Sequence, residues 1–219
     1  MSTLSNLIEI VLQQPLNRGN KLESLRRFLR WQFGSRLLRG DCVIEWVNGA
    51  RLFARNGETG ITGNIYAGLH DFEDMAFVLH FLRAGDLFVD VGANSGSYTI
   101  LAGAAVGASG YAFEPVPAVF SRLVENVRLN HLEERVTCIQ KAIGESTGLI
   151  KFTKNLDTTN HAVAVDETDQ EVMNVPVVTL DAALCGSVPD LMKIDVEGYE
   201  THVIHGAPET LRDTRLNCV

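Results

Sequence analysis

The chain is poor in the features that mark metal-stabilised, secreted or membrane-spanning proteins. Its four cysteines, Cys42, Cys138, Cys185 and Cys218, are scattered, with no C-x-x-C pair and no histidine pair beside them. Neither a zinc site nor a disulfide framework is indicated, and reduced thiols in a cytoplasmic protein are the expectation. No apolar run approaches the ~18 residues that a transmembrane helix requires. The first basic residue is Arg18, and Glu9 interrupts the apolar stretch before it, which is not the pattern of a secretory signal. Positive charge is also short, 19 Lys+Arg against 27 Asp+Glu for a net −8. That deficit argues against sequence-independent nucleic-acid binding, which needs basic surface. What is present, 219 residues of which 46% are apolar, suffices for one domain with a real core and an appendage.

The charge is unevenly placed. Residues 1–40 hold seven basic and two acidic residues, a net +5, so residues 41–219 carry 12 − 25 = −13. Within the basic stretch Leu22, Leu25, Leu29 and Phe33 recur at helical spacing. Two readings stand: an amphipathic helix packed on the main domain by those residues with a solvated basic face, or an arm that docks on an acidic partner or a membrane surface. Residues 41–66 read as a small antiparallel β element around Asn48-Gly49, a strong hairpin-turn pair, followed by glycine-rich punctuation. Residues 72–83 read as a helix ending before Gly85.

From residue 86 the pattern alternates. Short apolar runs at 86–92, 110–115, 136–144 and 191–198 read as strands, and 97–107, 117–132 and 199–206 read as helices. Two further β-like runs lie at 148–154 and 175–180. Strands separated by helices imply βαβ units, a parallel sheet and an α/β, Rossmann-like architecture.

Three segments carry chemistry. In Asp90-Val91-Gly92-Ala93-Asn94-Ser95-Gly96 a strand runs into a glycine turn and then a helix. The glycines let backbone approach a ligand, and Asp90 stands at the strand's carboxyl end, where open α/β sheets bind ligands. The spacing is not G-x-G-x-x-G, and the acidic residue favours a cationic ligand group over a phosphate, which weakens a dehydrogenase reading. Glu114 ends the next strand, 24 residues after Asp90, where a carboxylate can accept both hydroxyls of a ribose. Lys193 and Asp195 share one face of a buried strand and Glu197 follows. Lys193 and Glu197 read equally as an internal ion pair with a helix start or as site residues, while Asp195 lies at the ligand edge.

Taken together, Asp90-Val-Gly-Ala-Asn-x-Gly96, Ala112-Phe-Glu-Pro115, Asn126-x-x-x-Asn130, Lys141-Ala-Ile-Gly144 and Lys193-Ile-Asp-Val-Glu-Gly198 resemble the FkbM family of S-adenosylmethionine-dependent methyltransferases over about residues 70–212. The resemblance implies a class I methyltransferase sheet, S-adenosylmethionine as cofactor, and O-methylation of a hydroxyl on a sugar or other small-molecule acceptor. It implies that Asp90, Gly92, Ala93, Asn94 and Gly96 surround the methionine half of the cofactor, with Ser97, Tyr98 and Thr99 opening the helix beneath. Glu114 would hold the ribose, Pro115 and Val116 would lie against the adenine, and Ala142 and Ile143 would complete that pocket. Asp195 would sit near the transferred methyl. Asp195, Glu197 and His161 are the candidates for a base at the acceptor hydroxyl. Carboxylates at 195 and 197 could instead bind a divalent cation, but a third acidic partner is lacking, so no metal site is assigned.

The expected division is an arm, small β element and lead-in helix over 1–84 and a cofactor-binding core over 85–219. Counted against a seven-strand class I sheet, the chain stops after the start of a fifth strand at 215–219. Either the chain is a piece, or a partner or second copy completes the sheet edge, or the fold is reduced. A non-catalytic cofactor-binding module is therefore the alternative to an enzyme.

Overall fold

The structure is a computed structural model that describes residues 8, 11–37, 40–55, 59–153 and 172–219. The basic stretch forms helix α1 (Lys21–Leu37), but its rotation is the reverse of the packed-helix expectation. Ser24, Phe28, Trp31 and Ser35 face the domain, whereas Leu22, Leu29, Phe33 and Leu37 are exposed. Two aromatic rings outweigh the leucines as buried area. The Phe28 ring lies 5.0 Å from that of Tyr66, and Arg27 on the same inward side donates to Asn17 Oδ1 at 2.7 Å and to the Tyr66 carbonyl at 3.1 Å.

Strands β1 (Cys42–Glu45) and β2 (Arg51–Ala54) form the expected hairpin. Its turn places Asn48 at φ 51° and Gly49 at φ 83°, positive values that this residue pair tolerates and that match strand twist. The glycine-rich segment after it departs from the β reading: residues Thr59–Ala67 are helix α2. Ile61 and Ile65, four apart and both buried, supply a helical period that the interspersed glycines hid. Helix α3 (Phe72–Phe81) follows as expected.

Then come β3 (Leu87–Val91), α4 (Ser97–Ile100, continued by a wider turn over Leu101–Val106), β4 (Ser109–Phe113), α5 (Pro117–Leu129) and β5 (Val136–Ile139). The run expected as one strand over 136–144 is two. It breaks at Gln140-Lys141, and β6 (Ala142–Ile143) joins a second sheet with β7 (Gly148–Thr153) and β8 (Val172–Val178) in the order β6-β8-β7. Helix α6 (Leu180–Leu184), β9 (Leu191–Ile194), α7 (Glu200–His205) and α8 (Pro208–Arg212) complete the described chain.

The central sheet is wholly parallel, with strand order β5-β4-β3-β9. Beyond β9, the Met192 amide donates to the Cys218 carbonyl at 3.0 Å, so residues at the expected fifth-strand position lie alongside it. This is the α/β, Rossmann-like arrangement. Its topological switch falls between β3 and β9, whose carboxyl ends border a crevice. The two ends meet backbone to backbone: a Cβ on Gly92 (φ +80°) would stand 1.9 Å from the Asp195 carbonyl oxygen. Only glycine fits there.

The hairpin is tied to the sheet layer through α5. Asn126, fully buried, accepts from the Phe53 amide at 2.7 Å and donates to the Ser95 carbonyl at 2.8 Å. Asn130 accepts from the Arg51 amide at 2.8 Å and donates to its carbonyl at 2.7 Å. The side chain thus completes the edge of β2 as a neighbouring strand would. Arg122 donates to both Asp41 oxygens, at 2.9 and 3.1 Å, and holds that carboxyl below its usual range. Trp31, Leu52 and Ile61 share one buried cluster with Ile100, Leu123 and Val136, so residues on both sides of position 84 build the same core.

Asn126→Ala leaves a part-buried amide and a part-buried carbonyl without their partner at once. It is expected to lower stability by roughly 2–4 kcal/mol, read by denaturant unfolding. A loss below about 1 kcal/mol would mean that Asn126 does not bridge the hairpin and the glycine loop.

Candidate functional site

A cavity of about 390 Å³ opens at the carboxyl ends of β3, β4 and β9. The loop after β3 forms its floor with Gly92, Ala93, Asn94 and Ser95, and α4 adds Ser97 and Tyr98. Glu114, Pro115 and Val116, after β4, make one side with Ala142 and Ile143 of β6. Asp195, Val196 and Glu197, after β9, make the other.

Beneath the floor lies a fully buried carboxylate. Asp90 Oδ2 accepts from Thr99 Oγ1 at 2.6 Å, and Oδ1 has no hydrogen bond but faces Lys193 Nζ at 3.5 Å. The two residues are register partners on β3 and β9. The Lys193 ammonium also donates to the Gly92 carbonyl at 3.1 Å, stands 3.3 Å from Asp195 Oδ2 and lies 5.0 Å over the Tyr98 ring. Lys193 is thereby the internal ion-pair residue and also part of the cavity wall.

Glu114 is 6% exposed. Each carboxylate oxygen accepts one backbone amide, Oε2 from Asn94 at 3.0 Å and Oε1 from Val116 at 2.9 Å. Burial outweighs these bonds and pushes the carboxyl up to about 7. Each oxygen keeps a second lone pair for a further donor.

Of the residues expected at a site, Gly92, Ala93, Asn94, Tyr98, Glu114, Pro115, Ala142, Ile143, Asp195 and Glu197 share this one cavity. Asp90 lies behind the wall, and Gly96 caps α4 against Leu123 rather than lining the space. Asp195 and Glu197 are exposed at the rim, with Glu197 at φ 51°. His161 lies outside the described residues. Among the described residues no group of three or more histidine, cysteine or acidic side chains is arranged to hold a metal.

The wall contains further residues that sequence reasoning missed, chiefly His70 and Asp71, with Lys141 and Tyr199. His70 Nδ1 is 3.0 Å from Asp71 Oδ1, and the Tyr98 hydroxyl donates to Asp71 Oδ2 at 3.4 Å. In sequence, Asp71 before Phe72 looks like an ordinary helix N-cap, yet its side chain makes no capping bond. The His70 ring rests on Gly63, where a Cβ would meet Cδ2 at 2.2 Å. Neither feature has a local signal, because the partners come from three separate segments.

Residues 90–219, more than half of the chain, match the family described as Methyltransferase FkbM domain. The hexuronic acid methyltransferase AglP of Haloferax volcanii is 30% identical over 136 residues, 60% of this chain and 54% of that protein. The chain thus spans about half the length of that curated relative. Among solved structures, Methyltransferase FkbM from Methylobacillus flagellatus KT superposes with a TM-score of 0.45 at 16% identity, covering 89% of this chain and 48% of that one. TYW2 of P. horikoshii in complex with MeSAdo gives 0.38 at 20% identity, covering 48% and 39%.

The raised Glu114 carboxyl has a consequence for stability. Between 4.5 and about 7 the folded chain keeps a proton that the unfolded chain has released. The contribution of Glu114 to stability is therefore greatest below that window and is lost as pH rises through it, a decline of up to roughly 3 kcal/mol. Glu114→Gln is expected to flatten this decline in unfolding free energy between pH 4.5 and about 7. An unchanged slope would assign it to another group.

Proposed function

The chain belongs to the FkbM methyltransferase family, and from that premise we propose that it transfers a methyl group from S-adenosylmethionine to a hydroxyl oxygen of a sugar or similar small molecule. The observation that carries the reading is Glu114: a nearly buried carboxylate on the cavity wall, its oxygens each half-used, at the end of the strand next to the glycine loop. That is the donor-accepting arrangement a ribose diol needs. The residues fit the rest of the cofactor as well. Pro115, Val116, Ala142 and Ile143 offer an apolar slot for adenine, and the loop of Gly92 to Ser95 leaves room for the methionine end. In this reading residues 85–219 are the cofactor-binding unit, and 1–84 supply the layer above it. The acceptor class is supported by the relative named for hexuronic acid.

When bound, S-adenosylmethionine supplies a methyl carbon already activated on a sulfonium sulfur. The protein's part is to align the acceptor oxygen and to take its proton. We assign the proton to His70. An imidazole is the side chain best matched to proton transfer near neutral pH, and Asp71 fixes this one at 3.0 Å. Asp195, engaged by Lys193 at 3.3 Å, and the rim residue Glu197 would help to orient the acceptor.

Calorimetry with S-adenosylmethionine and NAD tests the cofactor: the first is expected to bind and the second not. Glu114→Ala should weaken S-adenosylmethionine binding about tenfold to a hundredfold. Affinity should fall as pH drops below about 7, where Glu114 takes up its proton. No binding, or binding indifferent to Glu114, defeats the reading. Binding without transfer to a panel of uronic acids and hydroxylated glycosides would make the chain a non-catalytic cofactor module.

For the base, His70→Ala is expected to lower the methyl-transfer rate about a hundredfold or more with cofactor affinity unchanged. Gly63→Ala should act in the same direction by displacing the ring. An unaltered rate in His70→Ala would return the role to Asp195, Glu197 or His161.

A further inference from the structure

The exposed face of α1 is more apolar than its location requires. Leu22 is 80% exposed, Leu29 42%, Phe33 67% and Leu37 82%. They recur at 22, 29, 33 and 37, on one side of a 17-residue helix whose opposite side packs on the domain. Leu22, Leu25, Leu29 and Phe33 line a shallow groove together with Arg26 and Arg30. Four large apolar side chains in contiguous exposure are more than a solvated helix face carries by chance.

We infer that this face of α1 seats the protein on an anionic lipid surface. The arginines decide between occupants. At 100° per residue, Arg26, Arg30 and Arg36 fall on or beside the leucine stripe rather than opposite it. Glu23 is the one acidic residue of the helix. Self-pairing of two such faces would bring these guanidinium groups against each other. A layer of acyl chains and phosphates suits both components, leucine and phenylalanine entering the acyl boundary while arginine stems lie along it with their heads at the phosphates. Charge is divided along the chain in the same sense, residues 1–40 carrying +5 and the rest −13, so the basic stretch is the part that a negative surface attracts. Among the described residues no helix is long and apolar enough to cross a membrane, so α1 lies on the bilayer rather than through it. The inference does not depend on the chemistry at the cavity.

The test is sedimentation of the full chain with large vesicles of phosphatidylcholine alone or mixed equally with phosphatidylglycerol. Binding to the mixed vesicles, weak on phosphatidylcholine and reversed by salt, is expected. The double changes Leu29→Glu with Phe33→Glu, and separately Arg26→Glu with Arg30→Glu, should each lower partitioning roughly tenfold while the thermal melt stays that of the parent. No binding to either vesicle, equal binding to both, or variants that bind as the parent does would overturn the inference. So would a dimer in sedimentation velocity that the leucine and phenylalanine changes dissociate, which would give the face to a second copy.

Discussion

A carboxylate buried at the centre of a parallel sheet has to be met by positive charge, and much of this molecule follows from how Asp90 is met. Lys193 comes from the neighbouring strand in register with it. Removing Lys193 leaves a fully buried carboxylate with only the Thr99 hydroxyl as partner, which is far more destabilising than the pair is stabilising. The same ammonium reaches the Gly92 carbonyl and Asp195, so one cation fixes both strand ends that border the crevice. Gly92 then has to be glycine, because those ends touch through backbone. The floor of the cavity is held by these contacts of Lys193.

The described part of residues 11–84 meets the core through shared apolar clusters and through hydrogen bonds to side chains rather than through a continuous sheet. Asn126 and Asn130 substitute for a strand along β2, and Asn64 joins α2 to α4 by donating to Ser97 Oγ at 3.1 Å. Asn64 also accepts the His70 amide at 2.9 Å. The chain reversal that carries His70 and Asp71 is therefore anchored to the helix that carries Tyr98. The cavity gains a wall with imidazole and carboxylate together, in addition to the acidic residues at 195–197. The asparagines bind the hairpin and α2 to the core and, through Ser95, steady the glycine loop itself.

Much of the core was readable because its signals are local. A continuous apolar run such as Leu87–Val91 marks a strand buried on both faces, and the glycines after it mark the turn. Glu114 was placed by its distance along the chain from that turn, which works because a βαβ unit has a nearly fixed length. Reading failed where a local pattern had two solutions. In α2 the glycines masked the pair Ile61 and Ile65. In α1 the leucine stripe looked like the packing face, yet the aromatic pair Phe28 and Trp31 won. The run over 136–144 kept its β character but changed sheets, which no periodicity records. Asp71 was invisible as a site residue because its chemistry depends on Tyr98, 27 positions away.

What the sequence determined by itself is the parallel α/β core, the position of the glycine loop, and the acidic residues at the strand ends, since each rests on neighbours within one strand–helix unit. Tertiary structure alone decided three things. It set Asp90 behind the cavity wall and gave Lys193 both structural and site contacts, because only strand order brings residues 103 positions apart into register. It delivered His70 and Asp71 to the cavity wall, because their partners lie on other elements. It turned the leucines of α1 outward, because which face of a helix is buried depends on what the rest of the molecule offers it.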